Sequence, residues 1–342
     1  MRKMATIQII DSLAPIEGAD KIELATVLGW QVVVQKGLYE VGDKVCYCEV
    51  DGFVPHSLVD LSRGGSIREY NGVPGNKLRT IKLRGQISQG MCLPLFECEP
   101  YFNGVTYEVG DDVSEPLGIV KYEPPVAAHL MGLARGNFPS WLRKTDQDRI
   151  QNVYGRISHI LDDEWIIEEK LEGSSMTVGH NNGDLVVCSR NLSLKLEGND
   201  ENSFVKTAND CGILTALASY GRNIGISGEL LGNIQGNIYH INGFEWRIFD
   251  ILDVDTQKYV DYDTRMQIVN DLQDHGAKLL VAPLLARREL KGSTIQDLKT
   301  MADGKSVLNP KTNREGLVFK NQRDPDISFK SVSAVYLLKE KD

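Results

Sequence analysis

Apolar and polar positions alternate in short runs over the first third of the chain. Ala5–Ile10, Glu23–Val27 and Gln31–Gln35 are rich in β-branched or aromatic residues and are bounded by turn formers. Gly42-Asp43-Lys44 leads into Val45–Val50, which alternates, and Lys77–Leu83 precedes the turn-rich Gly85–Gly90. Strands this short and closely spaced predict a small β-barrel of the OB type. Pro116 and Pro124-Pro125 then interrupt regular structure, which places the domain boundary at residue 120, with a helix expected over Ala127–Leu133. From Trp165 the pattern changes. Strands at Trp165–Glu169 and Leu185–Ser189 alternate with helical periodicity at Ser203–Tyr220 and Asp263–His275. The expected fold class is therefore α+β, with a barrel over residues 1–120 and a mixed domain over 121–342.

Composition changes this picture little. A chain of 342 residues with 42% hydrophobic and 25% charged residues suits two globular domains. No apolar run is long enough to cross a bilayer, and Met1-Arg2-Lys3-Met4 lacks a secretory apolar core. The expected setting is cytoplasmic, with no membrane partner. Cys46, Cys48, Cys92, Cys98, Cys188 and Cys211 form no paired CxxC framework and read as free thiols. The net charge of -9 argues against a protein that coats nucleic acid over its whole surface. It leaves room for a local basic groove.

The chemistry concentrates at Ile166-Ile167-Glu168-Glu169-Lys170-Leu171-Glu172-Gly173, where an apolar strand delivers a lysine to its end. Glycine permits a tight turn and close backbone approach by a ligand, and a lysine so placed can act as a covalent nucleophile. Alone, Lys-x-Glu-Gly arises often by chance, and an exposed hairpin lysine is the plain alternative. Further elements follow in order. Ser189-Arg190-Asn191 ends an apolar strand, and Ile224–Leu230 carries Glu229 after small residues. Trp246–Ile251 carries Phe249 and an acid, Arg314–Lys320 carries Glu315, and Ser328–Val332 carries Lys330. Glu168 and Glu169 read as strand-edge residues outside the site.

This ordered set resembles the motifs of the covalent nucleotidyltransferase superfamily, the ATP-dependent ligases and mRNA capping enzymes. Within it, the segment Phe138–Asn152, with Lys144-Thr145-Asp146 and Arg149-Ile150-Gln151-Asn152, is similar to the one upstream of the nucleophile in RNA ligases. Only Ser331–Asp342 follows Lys330, so the OB-like domain is expected at the amino end, as in the Deinococcus- and Naegleria-type RNA ligases. Two departures stand out. Glu172 replaces the usual aspartate, and Val332 stands where many members carry a second lysine.

The resemblance implies an adenylyltransferase domain that joins a 3′-OH RNA end to a 5′-phosphate end, in a single strand, a nicked duplex or a break bridged by DNA, as a monomer. Lys170 would be the nucleophile and Lys330 its catalytic partner. Glu172, Glu229 and Glu315 would hold Mg²⁺ or Mn²⁺, through its waters if need be. Phe249 would stack on the adenine of ATP, Arg190 would touch ribose or phosphate, Lys144 and Arg149 the outer phosphates, and Lys320 would supply further positive charge. A free lysine has a pKa of about 10.4, so only roughly one in a thousand is neutral near pH 7.5, a penalty of about 4 kcal/mol. A nearby cation lowers that penalty. On the first domain, Arg79, Lys82 and Arg84 alternate along one strand and are candidate RNA contacts. A DNA ligase or capping enzyme would use the same lysine. A non-catalytic nucleic-acid-binding protein would be expected to have lost it, and an acidic small-molecule enzyme explains none of the motif order.

Overall fold

The computed structural model describes residues 2–59, 61, 68–123, 132–233 and 236–338. The chain divides into two compact units, residues 1–125 with 337–342, and residues 126–336.

The first unit is built from β-strands. Ala5–Ile9, Lys44–Cys48 and Met91–Pro94 form an antiparallel sheet with Lys44–Cys48 in the middle. Ser12–Pro15, Ile22–Val27 and Trp30–Gln35 form a meander beside it, and Gly52–Pro55 pairs with Val73–Lys77 and Val120–Lys121. The run Lys77–Leu83, expected as one strand, breaks in two. Lys77 ends the strand Val73–Lys77, Thr80–Leu83 is a second strand, and among the described residues the latter pairs only with Gln86–Gln89. Several tight hairpins turn on residue pairs that both have positive φ: Leu28-Gly29, Asn71-Gly72, Arg84-Gly85 and, in the second unit, Asn182-Gly183. That backbone matches the twist of the flanking strands, and glycine adopts it without strain. Trp30, Val32, Val45 and Tyr47 fill one core, and Met4, Ile7, Cys46, Val54 and Leu93 fill another.

The second unit carries two sheets with helices packed on them, an α+β arrangement. The larger runs Ala134–Asn137, Leu192–Leu194, Asp184–Cys188, Ser174–Asn181, Ile224–Gly232, Phe244–Asp253, Lys258–Tyr259, with Leu280–Val281 parallel to Phe244–Asp253. Helices Ser203–Asp210, Ile213–Tyr220 and Tyr262–Asp274 bury Val205, Leu217 and Ile268 against it. The helix expected over Ser203–Tyr220 is two helices, because Gly212 adopts φ +72° between them. Asn202 caps the first by accepting from the Phe204 and Val205 N–H groups, and Asp261 caps Tyr262–Asp274.

The smaller sheet runs Asp148–Arg149, Ser328–Val332, Gly316–Asn321, Glu164–Lys170, Leu284–Glu289. Helices Ile150–Ile157 and Ile295–Ala302 cover it through Ile150, Val153 and Leu298. Glu164–Lys170 therefore lies between two neighbours, so Glu168 and Glu169, expected at a strand edge, are only 1% and 2% exposed. The helix expected over Ala127–Leu133 falls mostly outside the described residues; Gly132 and Leu133 form a turn.

Candidate active site

Lys170 closes the strand Glu164–Lys170, in register with Gly316 on the neighbouring strand. That register sets Glu315 beside it, and the Lys170 amine forms an ion pair with Glu315 Oε1. Both side chains are partly exposed, at 23% and 16%, so the amine is held rather than sealed away. Two glycines make this geometry. A Cβ on Gly316 would stand 2.2 Å from the Ser331 carbonyl oxygen, and one on Gly173 would stand 2.3 Å from that of Leu230. Any side chain at Gly173 would push the loop after Lys170 off the strand that carries Glu229.

Glu229 keeps some exposure, yet enough protein surrounds its carboxyl to push it up to about 8. Burial is the main cause, and the Glu315 charge raises it further. Lys170, Arg190 and a hydrogen bond from the Gly173 N–H act in the opposite sense. A cation placed beside it would favour its ionised form.

Lys330 and Arg190 share a carboxylate. Lys330 Nζ stands 3.3 Å from Asp146 Oδ1, and Arg190 Nη2 stands 3.6 Å from Asp146 Oδ2. Arg149 pairs in parallel with Lys330 through the backbone and sits at the amino end of helix Ile150–Ile157. Lys144 donates to Asn191 Oδ1 at 2.7 Å, and its amine lies 5.8 Å from the Phe138 ring centre. The upstream segment is thus tied to the Ser189-Arg190-Asn191 strand end. Asp146, to which the motif pattern assigns no role, links Arg190 and Lys330 to it as well.

Glu172 lies on the loop after Lys170. Its N–H donates to the Tyr239 hydroxyl at 2.8 Å, and a Cβ on Gly236 would meet Glu172 Oε1 at 2.3 Å. Gly236, with φ +97°, makes room for the longer acid. Among the described residues no group of three or more His, Cys, Asp or Glu is placed to hold a metal ion directly.

Phe249 occupies a β-bulge. Ser227 pairs with Asp250 and Gly228 pairs with Ile248, so Phe249 is the extra residue on its strand. The half-buried ring packs with the cluster of Leu171, Leu231, Tyr239 and Ala282, next to the loop after the lysine. Lys320 differs from expectation. Its amine, in a side chain 6% exposed, contacts Glu168 Oε2 at 3.0 Å, Asp250 Oδ1 at 2.7 Å and the Phe249 carbonyl. An ammonium has three donors. All are engaged inside the protein, so Lys320 serves Phe249 rather than a phosphate.

Known proteins share this arrangement. A family model described as RNA ligase matches residues 163–333, and one described as an OB-fold domain matches residues 4–95. The chain is 38% identical to the structure of a Naegleria gruberi RNA ligase aspartate-to-alanine variant without ligand. That match covers 100% of this chain and 99% of the other, with a TM-score of 0.90. The same ligase with pyrophosphate matches at 38% identity over 100% of both chains, TM-score 0.88. A lysine-to-alanine variant of it with ATP and Mn matches at 38% over 98% of each, TM-score 0.88. None of the curated proteins compared with the chain matches it.

Proposed function

The chain belongs to the RNA ligase family, and on that premise we propose that it seals RNA ends with a 3′-hydroxyl and a 5′-phosphate through Lys170. It is an ATP-dependent RNA ligase with an amino-terminal OB-fold domain and uses a divalent metal ion. The observation that carries the assignment of Lys170 is its place: the end of a central strand, paired to Glu315, with Glu229 close enough to feel its charge and that of Arg190.

In the first step the Lys170 nitrogen bonds to the α-phosphorus of ATP and pyrophosphate leaves. In the second, the RNA 5′-phosphate oxygen takes the AMP and releases the lysine. In the third, the 3′-hydroxyl attacks that 5′-phosphate and AMP leaves. Phosphoryl transfer of this kind needs positioning and charge neutralisation above all. Phe249 would supply the platform for the adenine, and Lys330 and Arg190 would give up Asp146 for phosphate oxygens. Lys144 and Arg149, carried on the segment that Asp146 anchors, would reach the outer phosphates. Glu172, Glu229 and Glu315 would hold the hydrated metal, which neutralises phosphate charge when bound. The Lys170–Glu315 pair must open before attack, because the amine cannot serve Glu315 and phosphorus together.

RNA contact by the first domain is supported by the exposed hairpin of Lys82 and Arg84. No helix among the described residues is long and apolar enough to cross a membrane. A cytoplasmic setting is the reading the free, mostly buried cysteines favour.

The test is incubation with α-labelled ATP or GTP and Mg²⁺ or Mn²⁺, followed by acid. Stable label from ATP and not GTP, absent in Lys170→Ala, supports the proposal, and equal labelling by GTP would favour a capping enzyme. Nicked duplexes with RNA or DNA at the 3′-hydroxyl end then separate RNA from DNA joining.

A further inference from the structure

One cluster of charged side chains lies almost wholly inside the second unit. Glu168, Arg265, Lys320 and Asp250 are 1%, 2%, 5% and 7% exposed. Charges are not buried this deeply without compensation, and here they neutralise one another. The Arg265 guanidinium grips both Glu168 oxygens, Nη2 on Oε1 and Nη1 on Oε2 at 3.2 Å. Lys320 bridges Glu168 at 3.0 Å and Asp250 at 2.7 Å. Burial by itself would raise the Glu168 carboxyl, but the Arg265 and Lys320 charges outweigh it and hold it below the usual carboxylate range.

The cluster ends on one backbone atom. Both Arg265 Nη1 and Lys320 Nζ donate to the Phe249 carbonyl. That carbonyl belongs to the bulged residue, where the ladder between Ile224–Gly232 and Phe244–Asp253 slips by one. A bulge leaves its extra residue unpaired and re-aims a side chain, and a buried carbonyl left unpaired is costly. The two cations meet that need. Lys320 also sits 5.5 Å from the centre of the Phe249 ring. At its other end the cluster holds Glu168, two residues before Lys170 on the same strand.

We infer that Arg265 is a positioning residue: with Glu168 and Lys320 it locks the bulge at Phe249 and so fixes the aromatic ring relative to the lysine strand. Arg265 touches neither substrate nor reacting atoms. It acts on ATP only by aiming the ring that receives the base. This rests on the reading of Phe249 as the adenine platform. No residue spacing announces it, because Glu168, Phe249, Arg265 and Lys320 come from separate strands and a helix.

The experiment is a double-mutant cycle on self-adenylylation by the full chain. Arg265→Lys keeps the charge balance and is used because removing the charge would risk the fold. Phe249→Ala should raise KM for ATP about tenfold, the scale of a missing base stack. Arg265→Lys should raise it about fivefold while kcat at saturating ATP stays within about twofold. The double variant should be no worse than Phe249→Ala alone, because both changes remove one effect. Tripolyphosphate, which has the phosphates without the base, should inhibit wild type and Arg265→Lys equally. An unchanged KM in Arg265→Lys, multiplying effects in the double variant, or weakened tripolyphosphate inhibition would each overturn the inference and leave the platform reading intact. If Phe249→Ala leaves KM unchanged, the platform reading itself fails and the inference falls with it.

Discussion

The amine of Lys170 and the carboxylate of Glu315 meet across two adjacent strands, one residue out of register, as an ion pair with solvent still at its edge. The nucleophile is therefore stored in a form that cannot attack. Whatever draws Glu315 away also releases the amine.

Glu315→Gln removes that charge while leaving a group of the same shape. The amine is then freer, but a carboxylate proposed to hold the metal is lost, so lysyl-AMP formation should fall by on the order of a hundredfold, as when one preorganised electrostatic partner is removed. The Mn²⁺ concentration for half-maximal adenylylation should rise at the same time. Label measured against a Mn²⁺ titration checks both, and a wild-type rate with an unchanged metal midpoint would remove Glu315 from the site.

Glu229 gives a pH signature. In the folded chain it keeps its proton up to about pH 8, against an ordinary value of 4.5. Between those values the folded state binds more protons than the unfolded one, so stability falls as pH rises through that window. Glu229→Gln cannot ionise. In EDTA, thermal unfolding from pH 5 to 9 should show a flatter profile for Glu229→Gln, with a gain of about 5 °C over wild type at the alkaline end. Parallel profiles would contradict the burial assigned to this carboxyl.

Gly236 accommodates the longer acid of this chain. Gly236→Ala drives a methyl into Glu172 Oε1 and strains a residue at φ +97°, the latter costing of order 1–3 kcal/mol. Adenylylation should drop, and melting should fall. Adding Glu172→Asp withdraws the carboxylate, so activity should recover while the melting temperature does not. Recovery of both, or neither, would show that the contact is not the cause.

Lys82 and Arg84 are exposed on the hairpin Thr80–Leu83 to Gln86–Gln89. Arg84 has φ +47°, so asparagine is the replacement that keeps the turn. Lys82→Ala with Arg84→Asn should weaken RNA binding and reduce the slope of log affinity against log salt by about 0.7 for each single-strand phosphate no longer neutralised. Self-adenylylation should be unaffected. An unchanged slope would move the RNA contact elsewhere.

Much of this was legible in the residues. The strand ending at Lys170 is an apolar run stopped by a glycine loop, and local pattern suffices for that. The same holds for Glu23–Val27, Gln31–Gln35 and the helix near Asp263–His275, found at Ile22–Val27, Trp30–Gln35 and Tyr262–Asp274. Local pattern fails where pairing is distant. Nothing around Glu168 says that its strand lies inside a sheet, or that Arg265, nearly a hundred residues away, supplies its countercharge. Lys320 looked like spare positive charge because its partners Asp250 and Phe249 lie on another strand. Asp146 was visible in its motif, but its grip on Lys330 and Arg190 depends on the fold bringing three segments together.

The bulge at Phe249 also changes how the strand would tolerate shortening. Ile251 packs into the core beneath helices Ser203–Asp210 and Tyr262–Asp274, whereas Leu252 packs with Leu142 and Val186 in a different layer. The single additional residue is what sends these neighbours to their proper sides. Excising it would work like a frameshift written in three dimensions: every later residue of the strand would be handed to the wrong layer, while replacing it trims a single side chain.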